Sequence, residues 1–214
     1  MARQPTALKG TGRSGGVLGR KGLETRARLL EAAARLLRTQ SAMSLTASAI
    51  AQEAKTSLAT LYVYFGDVRD ILLVLAEEAS AAIDDVLVAL KAWKPRRDDL
   101  DGPRQFLDAY RRYWHRHNAV LVLRNMESDR GDARFSEIRK QSGVRLVQIL
   151  ADKIIAGHPG TSLTGEQAMA RAIVIFAAIE RLATRETLYN DDAATIQADL
   201  HEAQIGILLE LVAG

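Results

Sequence analysis

Hydrophobic residues recur every three or four positions along most of the chain, which is the spacing of an α-helix with one buried face. The first such segment runs from about residue 23 to residue 39. Later segments predict helices over about 67–94, 103–118, 119–128, 132–156, 164–188 and 192–212. No segment shows the strict alternation that indicates a β-strand. With two further short helices between 46 and 65, the pattern predicts an all-α fold of about nine helices.

The two short helices have a very short connection. Thr46 and Ser57 are of the type that caps a helix N-terminus, and the first helix is predicted to end near Ala54. The connection is residues 55–57, so the two helices must cross steeply, as in a helix-turn-helix whose second helix enters the DNA major groove. An ordinary helical hairpin in an all-α protein is the alternative interpretation.

A set of residues in this stretch forms a known pattern. They are Thr46, Ile50, Ala51, Ala54, Ser57, Thr60, Leu61, Tyr62, Tyr64, Phe65 and Asp67. In this order they resemble the DNA-binding domain of TetR/AcrR-type transcriptional regulators, over about residues 24–75. The resemblance implies an N-terminal three-helix domain with a helix-turn-helix, followed by a larger helical ligand-binding and dimerisation domain. The predicted domains are a disordered basic arm (1–22), a DNA-binding domain (23–66) and an effector-binding and dimerisation domain (67–214).

Two residues depart from the family pattern. Lys55 stands where the family usually has glycine, so it either tolerates a backbone that favours glycine or indicates a different turn. Val68 stands where the family usually has a lysine that contacts phosphate. Arg69 could take over that contact.

The resemblance also implies which residues contact DNA. They are Thr46, Ala47, Ser48, Lys55, Thr56, Ser57, Leu58, Ala59, Thr60, Tyr62, Val63, Tyr64 and Arg69. Leu58 and Ala59 have no polar side-chain groups, so they can contact only thymine methyls among the base edges. Tyr62 and Tyr64 are expected on the solvent side of their helix, where their hydroxyls can meet phosphates.

The charge of the chain is uneven. Residues 1–70 contain eleven Lys or Arg and five Asp or Glu, a net charge of +6, whereas the whole chain carries +3. The remaining residues therefore carry −3. A basic end that coincides with a helix-turn-helix is expected of a DNA-binding domain. The arm over 1–22 has five basic residues and no acid, so it is predicted to lie along DNA or to be a solubilising tail.

The composition excludes several classes of protein. The chain has no cysteine, so disulfides and thiolate metal sites are excluded, and no cofactor is expected. The sequence has neither an apolar run long enough to span a bilayer nor a signal peptide, so we expect a cytoplasmic protein. His115 and His117 are two positions apart on a helix and cannot share a metal. Because the usual catalytic motifs are also missing, we expect no enzyme.

A stripe of aromatic residues, Phe106, Tyr110, Tyr113 and Trp114, follows the helical spacing of the predicted helix over 103–118. Such a stripe is often only core. In the family that the chain resembles, however, the middle helices enclose a cavity for a small apolar effector. The predicted pocket residues are Tyr110, Tyr113, Trp114, Asn125, Phe176 and Glu180, with Arg124 as a further polar contact.

The last two predicted helices, 164–188 and 192–212, are apolar on most sides. They are expected to form an intermolecular four-helix bundle, and an intrachain core is the alternative. The predicted function is a homodimeric repressor that a small apolar effector releases from palindromic operator DNA. Two other functions stay open: a DNA-binding regulator controlled by a protein partner without a pocket, and a cofactor-free helical enzyme or carrier.

Overall fold

The computed structural model of the protein describes residues 18–40, 44–188 and 194–213. Nine helices and no strand occur among them, which confirms the all-α fold class. The helices are α1 (Arg20–Leu37), α2 (Ala47–Glu53), α3 (Leu58–Tyr64), α4 (Val68–Ala81), α5 (Asp84–Ala92), α6 (Asp101–Asp129), α7 (Ala133–Gly157), α8 (Gly165–Leu188) and α9 (Ala194–Ala213). No described helix is long and apolar enough to cross a membrane.

Some predictions concern residues at the edge of the described ranges. Residues 20–22, predicted as part of the basic arm, lie in α1. Residues 1–17 of that arm, and 192–193 at the start of the last predicted helix, lie outside the described residues.

Both predicted helix caps are confirmed. The Thr46 side chain accepts a hydrogen bond from the backbone amide of Ala49 at 3.1 Å. The Ser57 side chain accepts one from the backbone amide of Thr60 at 3.0 Å. Each bond satisfies an amide that the first turn of a helix leaves without an intrahelical partner. The starts of α2 and α3 are therefore fixed by their own local sequence.

Lys55 closes the turn between α2 and α3 in a left-handed backbone conformation, with φ 53°. Its amide donates to the carbonyl of Gln52 at 3.0 Å, and the amide of Thr56 donates to the carbonyl of Ala51 at 2.9 Å. These two bonds make the Schellman motif, which usually has glycine in the left-handed position. Of the two possibilities that the sequence left open, Lys55 thus tolerates the backbone that favours glycine.

The single long helix predicted over 67–94 is wrong, because two helices form there, α4 and α5. Residues 82–83 form a turn between them. Asp84 and Asp85 occupy the first turn of α5, where carboxylates interact favourably with the positive end of the helix dipole. These two acids favour a new helix start at a place where apolar spacing alone predicts continuity.

The helix break predicted between 118 and 119 is also wrong, because α6 continues from Asp101 to Asp129. Residues 104–130 contain neither proline nor glycine. Asn118 is a weak helix former, but a single weak residue does not end a helix whose backbone hydrogen bonds continue on both sides. The errors at 82–83 and 118 offset each other, so the predicted number of helices agrees with the described one.

The described residues fall into two compact units. The first contains the chain up to Ser80 together with Ala119–Ile138, and the second contains Ala81–Asn118 together with the chain from Arg139 onward. The first unit includes α1–α4, with one continuous core. Fully buried side chains in that core are Leu29, Ile50, Leu61, Ile71 and Phe135. The two helices of the helix-turn-helix therefore pack into the same hydrophobic core as α1 and α4.

The core of the second unit is rich in large aromatic side chains. The least exposed of them are Trp93, Phe106, Tyr110 and Trp114. Lys153 reaches the end of α5, where its ammonium donates to the carbonyl of Lys91 at 3.1 Å and to the carbonyl of Trp93. It satisfies carbonyls that the last turn of a helix leaves without intrahelical partners. Burial lowers the pKa of the Lys153 ammonium.

We expect Lys55→Gly to stabilise the protein. A non-glycine residue in the left-handed conformation costs about 1–2 kcal/mol, whereas glycine loses about 0.5–1 kcal/mol more backbone entropy on folding. The difference predicts a gain of up to about 1 kcal/mol in the free energy of unfolding, measured by urea denaturation. Lys55→Ala is the matched control, because it removes the same charge and keeps the strain. A less stable Lys55→Gly variant would contradict the turn geometry.

Candidate DNA-binding surface and effector site

The α3 helix turns one face to the core and the other to solvent. Leu61 and Phe65 are buried, at 0% and 3% exposure. On the opposite face Leu58, Tyr62 and Val63 are 39%, 42% and 60% exposed. The helix contains no Lys or Arg, so this face can contact base edges and thymine methyls but offers no cation to a phosphate.

The other predicted DNA contacts of the helix-turn-helix differ in accessibility. The exposed ones are Thr46, Ser48, Lys55, Ser57 and Ala59. The half-buried ones are Ala47, Thr56, Thr60 and Tyr64. The hydroxyl oxygens of Thr46 and Ser57 accept the capping bonds of α2 and α3. A hydroxyl that accepts a hydrogen bond still has a proton to donate, so capping does not prevent a contact with a phosphate oxygen.

Tyr64 is less accessible than the sequence predicts. It is half-buried and packs against the core of the first unit. A Cβ atom added at Gly22 of α1 would lie 3.6 Å from the Tyr64 hydroxyl oxygen, which places that hydroxyl next to α1. Tyr62 is the tyrosine of α3 that extends into solvent, as predicted.

Arg69 takes part in an ion-pair cluster that the sequence did not predict. One of its guanidinium nitrogens, Nη2, lies 2.5 Å from Glu127 Oε2 and 2.8 Å from Asp132 Oδ2. The guanidinium carbon also lies 6.0 Å from the centre of the Phe135 ring. In the structure Arg69 is thus held by carboxylates of the first unit, within that unit's own fold.

Val68 lies beside this cluster. It is half-buried and lines a cleft of about 190 Å³. The other lining residues are Arg69, Leu72, Leu123, Met126, Glu127 and Phe135. At the position where the family pattern predicted a lysine, this chain therefore has a residue that contributes to packing.

Four of the predicted pocket residues lie together in the second unit. The Tyr110 and Trp114 rings stack with centroids 6.2 Å apart, and Tyr113 lies 5.9 Å from Tyr110. Phe176 meets the Tyr110 ring edge-on at 6.3 Å. The three residues of α6 are all at most 6% exposed. This close packing agrees with both interpretations of the aromatic stripe, as part of the core and as the wall of a closed pocket.

Trp114 adds a buried donor group to this aromatic cluster. Its indole Nε1 is buried and has no hydrogen-bond partner among the described residues. A buried N–H group without an acceptor is costly, at about 1–3 kcal/mol. The group is therefore able to bind an acceptor atom of a ligand without losing an existing bond.

Glu180, a fifth predicted pocket residue, forms a part-buried ion pair with Arg139. Its Oε2 lies 2.6 Å from Nη2 of Arg139, and the Glu180 side chain is 8% exposed. Glu180 is one helical turn from Phe176 on α8, and a Cβ added at Gly143 of α7 would lie 3.1 Å from the Phe176 ring. Arg139 is in turn one helical turn from Gly143. The ion pair thus directly adjoins the aromatic cluster.

Asn125, the sixth predicted pocket residue, belongs to the first unit. Its Oδ1 accepts hydrogen bonds from Nε and Nη2 of Arg124 at 3.0 and 2.9 Å. The buried Arg124 guanidinium also donates to Ser80 Oγ at 2.9 Å. Arg124 and Asn125 therefore form a polar network within the first unit.

Sequence reasoning missed three residues of the second unit that contact the predicted pocket residues. Arg139 and Gly143 share one face of α7, but only the folded chain shows that they meet α8. His117 lies 5.5 Å from the Tyr113 ring. Burial lowers the pKa of His117, and the neighbouring charge of Arg116 lowers it further. No group of three or more His, Asp or Glu among the described residues is arranged to hold a metal ion.

The outer faces of α8 and α9 each carry an apolar stripe that is bordered by exposed charged residues, among them Arg171, Arg181, Asp199 and Glu210. On α8 the exposed stripe consists of Ala170, Ile173, Val174, Ala177 and Ala178. On α9 it consists of Ala203, Gly206 and Ile207. Val174 is 66% exposed and Ile207 is 58% exposed, although both helices also bury their other faces. Contiguous apolar surface of this kind is characteristic of a protein–protein interface.

Comparison with solved structures shows the same fold over most of the chain. The fatty acid degradation regulator FadR from Bacillus halodurans has a TM-score of 0.64 at 15% identity, covering 92% of this chain and 96% of that one. The regulator FadR from Bacillus subtilis in complex with stearoyl-CoA has 0.62 at 18%, covering 88% and 97%. The TetR family regulator PfmR from Thermus thermophilus has 0.60 at 19%, covering 86% and 97%. At these identities the likeness shows the fold alone.

Family comparison covers both parts of the chain. Residues 29–75 match the family described as bacterial regulatory proteins, tetR family. Residues 85–209 match the family described as Tetracyclin repressor-like, C-terminal domain. No curated protein sequence matches the chain significantly. Since the two family matches extend over most of the sequence, the chain belongs to the TetR family of bacterial transcriptional regulators.

Proposed function

We propose that the protein is a homodimeric repressor that binds palindromic operator DNA through α3 and is released by a small, mainly apolar effector. The observation that carries the proposal is the exposed face of α3, presented by a capped helix-turn-helix with a Schellman turn. A palindromic site matches two copies of this face related by twofold symmetry. The alternatives of an enzyme or a carrier offer no explanation for that surface.

The exposed position of Ala59 gives a direct test of DNA binding. Ala59→Asp places a carboxylate near the phosphates and in the first turn of α3, where an acid favours the helix. We expect the melting temperature to be kept and affinity for an operator selected from random duplex DNA to fall roughly tenfold or more in gel shifts.

Gln105→Glu is the matched control for this experiment. It adds the same charge at an exposed position of α6 in the second unit. We expect it to bind the operator like the wild type. An Ala59→Asp protein that binds as tightly as the control would contradict the assignment of α3.

The apolar outer stripes of α8 and α9 are the proposed dimer interface, over residues 164–188 and 192–212. Two such stripes from each copy would form a four-helix bundle. This arrangement explains why Ile173, Val174 and Ile207 are apolar although a single chain leaves them exposed. The buried faces of the same helices serve the intrachain core.

We expect Val174→Glu to convert the dimer to monomer, because a carboxylate at the centre of an apolar interface would be desolvated without a partner. Sedimentation measures the change, and operator affinity should fall with it. Val88→Glu on α5 is the matched control, since Val88 and Val174 are both 66% exposed. If both variants stay dimeric, the interface lies elsewhere.

The aromatic cluster of the second unit, with Glu180, is the proposed effector site. The clustered rings of Tyr110, Tyr113, Trp114 and Phe176 give an apolar wall. The indole N–H of Trp114 and the Arg139–Glu180 pair add polar groups beside it. Asn125, which was also predicted for the pocket, belongs to the first unit and is not part of this proposed site. Because the structurally similar FadR from Bacillus subtilis was solved in complex with stearoyl-CoA, long-chain acyl compounds are the first effectors to test.

The two tryptophans of the chain allow a matched fluorescence experiment. In Trp93→Phe the emission comes from Trp114 alone, and we expect it to change when stearoyl-CoA is added. In Trp114→Phe it comes from Trp93, and we expect little response. The conservative replacement is necessary because truncating a buried tryptophan to alanine costs about 3–5 kcal/mol. A response from Trp93 alone would place the ligand away from the aromatic cluster.

A further inference from the structure

In the ion-pair cluster around Arg69, each carboxylate that binds Arg69 also binds a second arginine. It consists of Arg69, Asp70, Glu127, Arg130, Asp132 and Arg134. Arg69 is bound by both carboxylates through the same guanidinium nitrogen. Each carboxylate, however, has a second arginine: Arg130 lies 3.1 Å from Glu127, and Arg134 lies 3.4 Å from Asp132. If Arg69 leaves, neither carboxylate loses its only cation.

Arg69, like Arg130 and Arg134 at 51% and 54% exposure, is much more accessible than the two carboxylates that bind it. The side chains of Glu127 and Asp132 are 14% and 11% exposed, whereas that of Arg69 is 45% exposed. Burial by itself would raise the pKa of Asp132, but hydrogen bonds from Arg134 and from the Phe135 amide outweigh it and lower that pKa. Asp132 therefore stays ionised, and it binds a guanidinium that still reaches solvent.

Local hydrogen bonds hold Arg69 close to the end of α3. The backbone amide of Gly66 donates to Asp70 Oδ2 at 3.0 Å, and the amide of Asp70 donates to Asp67 Oδ1 at 2.9 Å. These bonds fix the start of α4 relative to the chain that leaves α3. Because α3 itself has no Lys or Arg, Arg69 is the first cation that follows it along the chain.

We propose that Glu127 and Asp132 are positioning residues that compete with an operator phosphate for the Arg69 guanidinium. Phosphate and carboxylate oxygens accept from the same planar donor group, so one guanidinium nitrogen cannot serve both at full strength. The carboxylates thus limit operator affinity as long as they hold Arg69. They have this role only if the chain binds DNA as proposed above.

The experiment measures operator affinity against salt concentration for four proteins. They are the wild type, Glu127→Gln/Asp132→Asn, Arg69→Gln, and the combination of all three substitutions. Each phosphate contact adds about 0.9 to the slope of log affinity against log salt. We expect the double variant to bind more tightly and to have a slope steeper by up to about 0.9, which amounts to about threefold in affinity between 200 and 50 mM salt.

The triple variant separates competition from general electrostatics. Removing two negative charges near DNA raises affinity whether or not Arg69 is present. Competition for Arg69 predicts that the steeper slope disappears when Arg69→Gln is added, so that the triple variant has the slope of Arg69→Gln alone. A steeper slope that survives in the triple variant, or an unchanged slope in the double variant, overturns the proposal.

Melting curves and one further variant distinguish a loss of folding from a change in DNA binding. Glu127→Gln alone keeps the Asp132–Arg69 pair and should give a smaller increase in slope, even if the double variant is unstable. A cluster that only stabilises the fold would lower the melting temperature and leave the slope unchanged, which also overturns the proposal. A wild-type protein that selects no duplex DNA would instead refute DNA binding, and with it this role of Glu127 and Asp132.

Discussion

The left-handed backbone at Lys55 determines the angle between α2 and α3, and with it the surface that α3 presents. A Schellman turn permits no extra residue, because the two amides that follow the helix must reach carbonyls of its last turn. The buried faces then follow: Ile50 on α2 and Leu61 on α3 have 0% exposure, and both belong to one core. Backbone strain at Lys55 therefore accompanies a turn that lets the short α3 helix pack in the same core as α2.

In the second unit a comparable constraint comes from the ion pair between Arg139 and the buried carboxylate of Glu180. A carboxylate as inaccessible as that of Glu180 would lose most of its hydration without a cation beside it, and Arg139 supplies that cation. Such a pair adds little net stability, because the cost of desolvation offsets the attraction. It does fix the distance between α7 and α8 at that level. Gly143 has the corresponding effect one turn away, since the Phe176 ring occupies the space that a side chain would need.

The parts of the structure that could be predicted from the sequence are those determined by short-range contacts. Thr46 and Ser57 each bind an amide three residues further along, so their types and positions were enough to locate α2 and α3. Partners that are distant in sequence could not be found in this way. Arg69 and Glu127 are 58 positions apart, and nothing in either neighbourhood indicates the other. The turn at 82–83 was missed for another reason: apolar spacing continues through it, while the helix dipole favours a new start there.

Because α3 has no charged side chain, base contacts and ionic phosphate contacts would come from different parts of the protein in the proposed DNA complex. In the proposed complex, contacts of the exposed Leu58, Tyr62 and Val63 with base edges would release no counterions, so they would depend little on ionic strength. Contacts between cationic side chains and phosphate would come from other parts of the chain and would be the same for every DNA sequence. A rise in cellular salt should therefore reduce occupancy at all sites by a similar factor and leave their ranking unchanged. In such a regulator, substitutions in α3 would change which DNA sites are preferred, and changes in phosphate contacts would change how fully all sites are occupied.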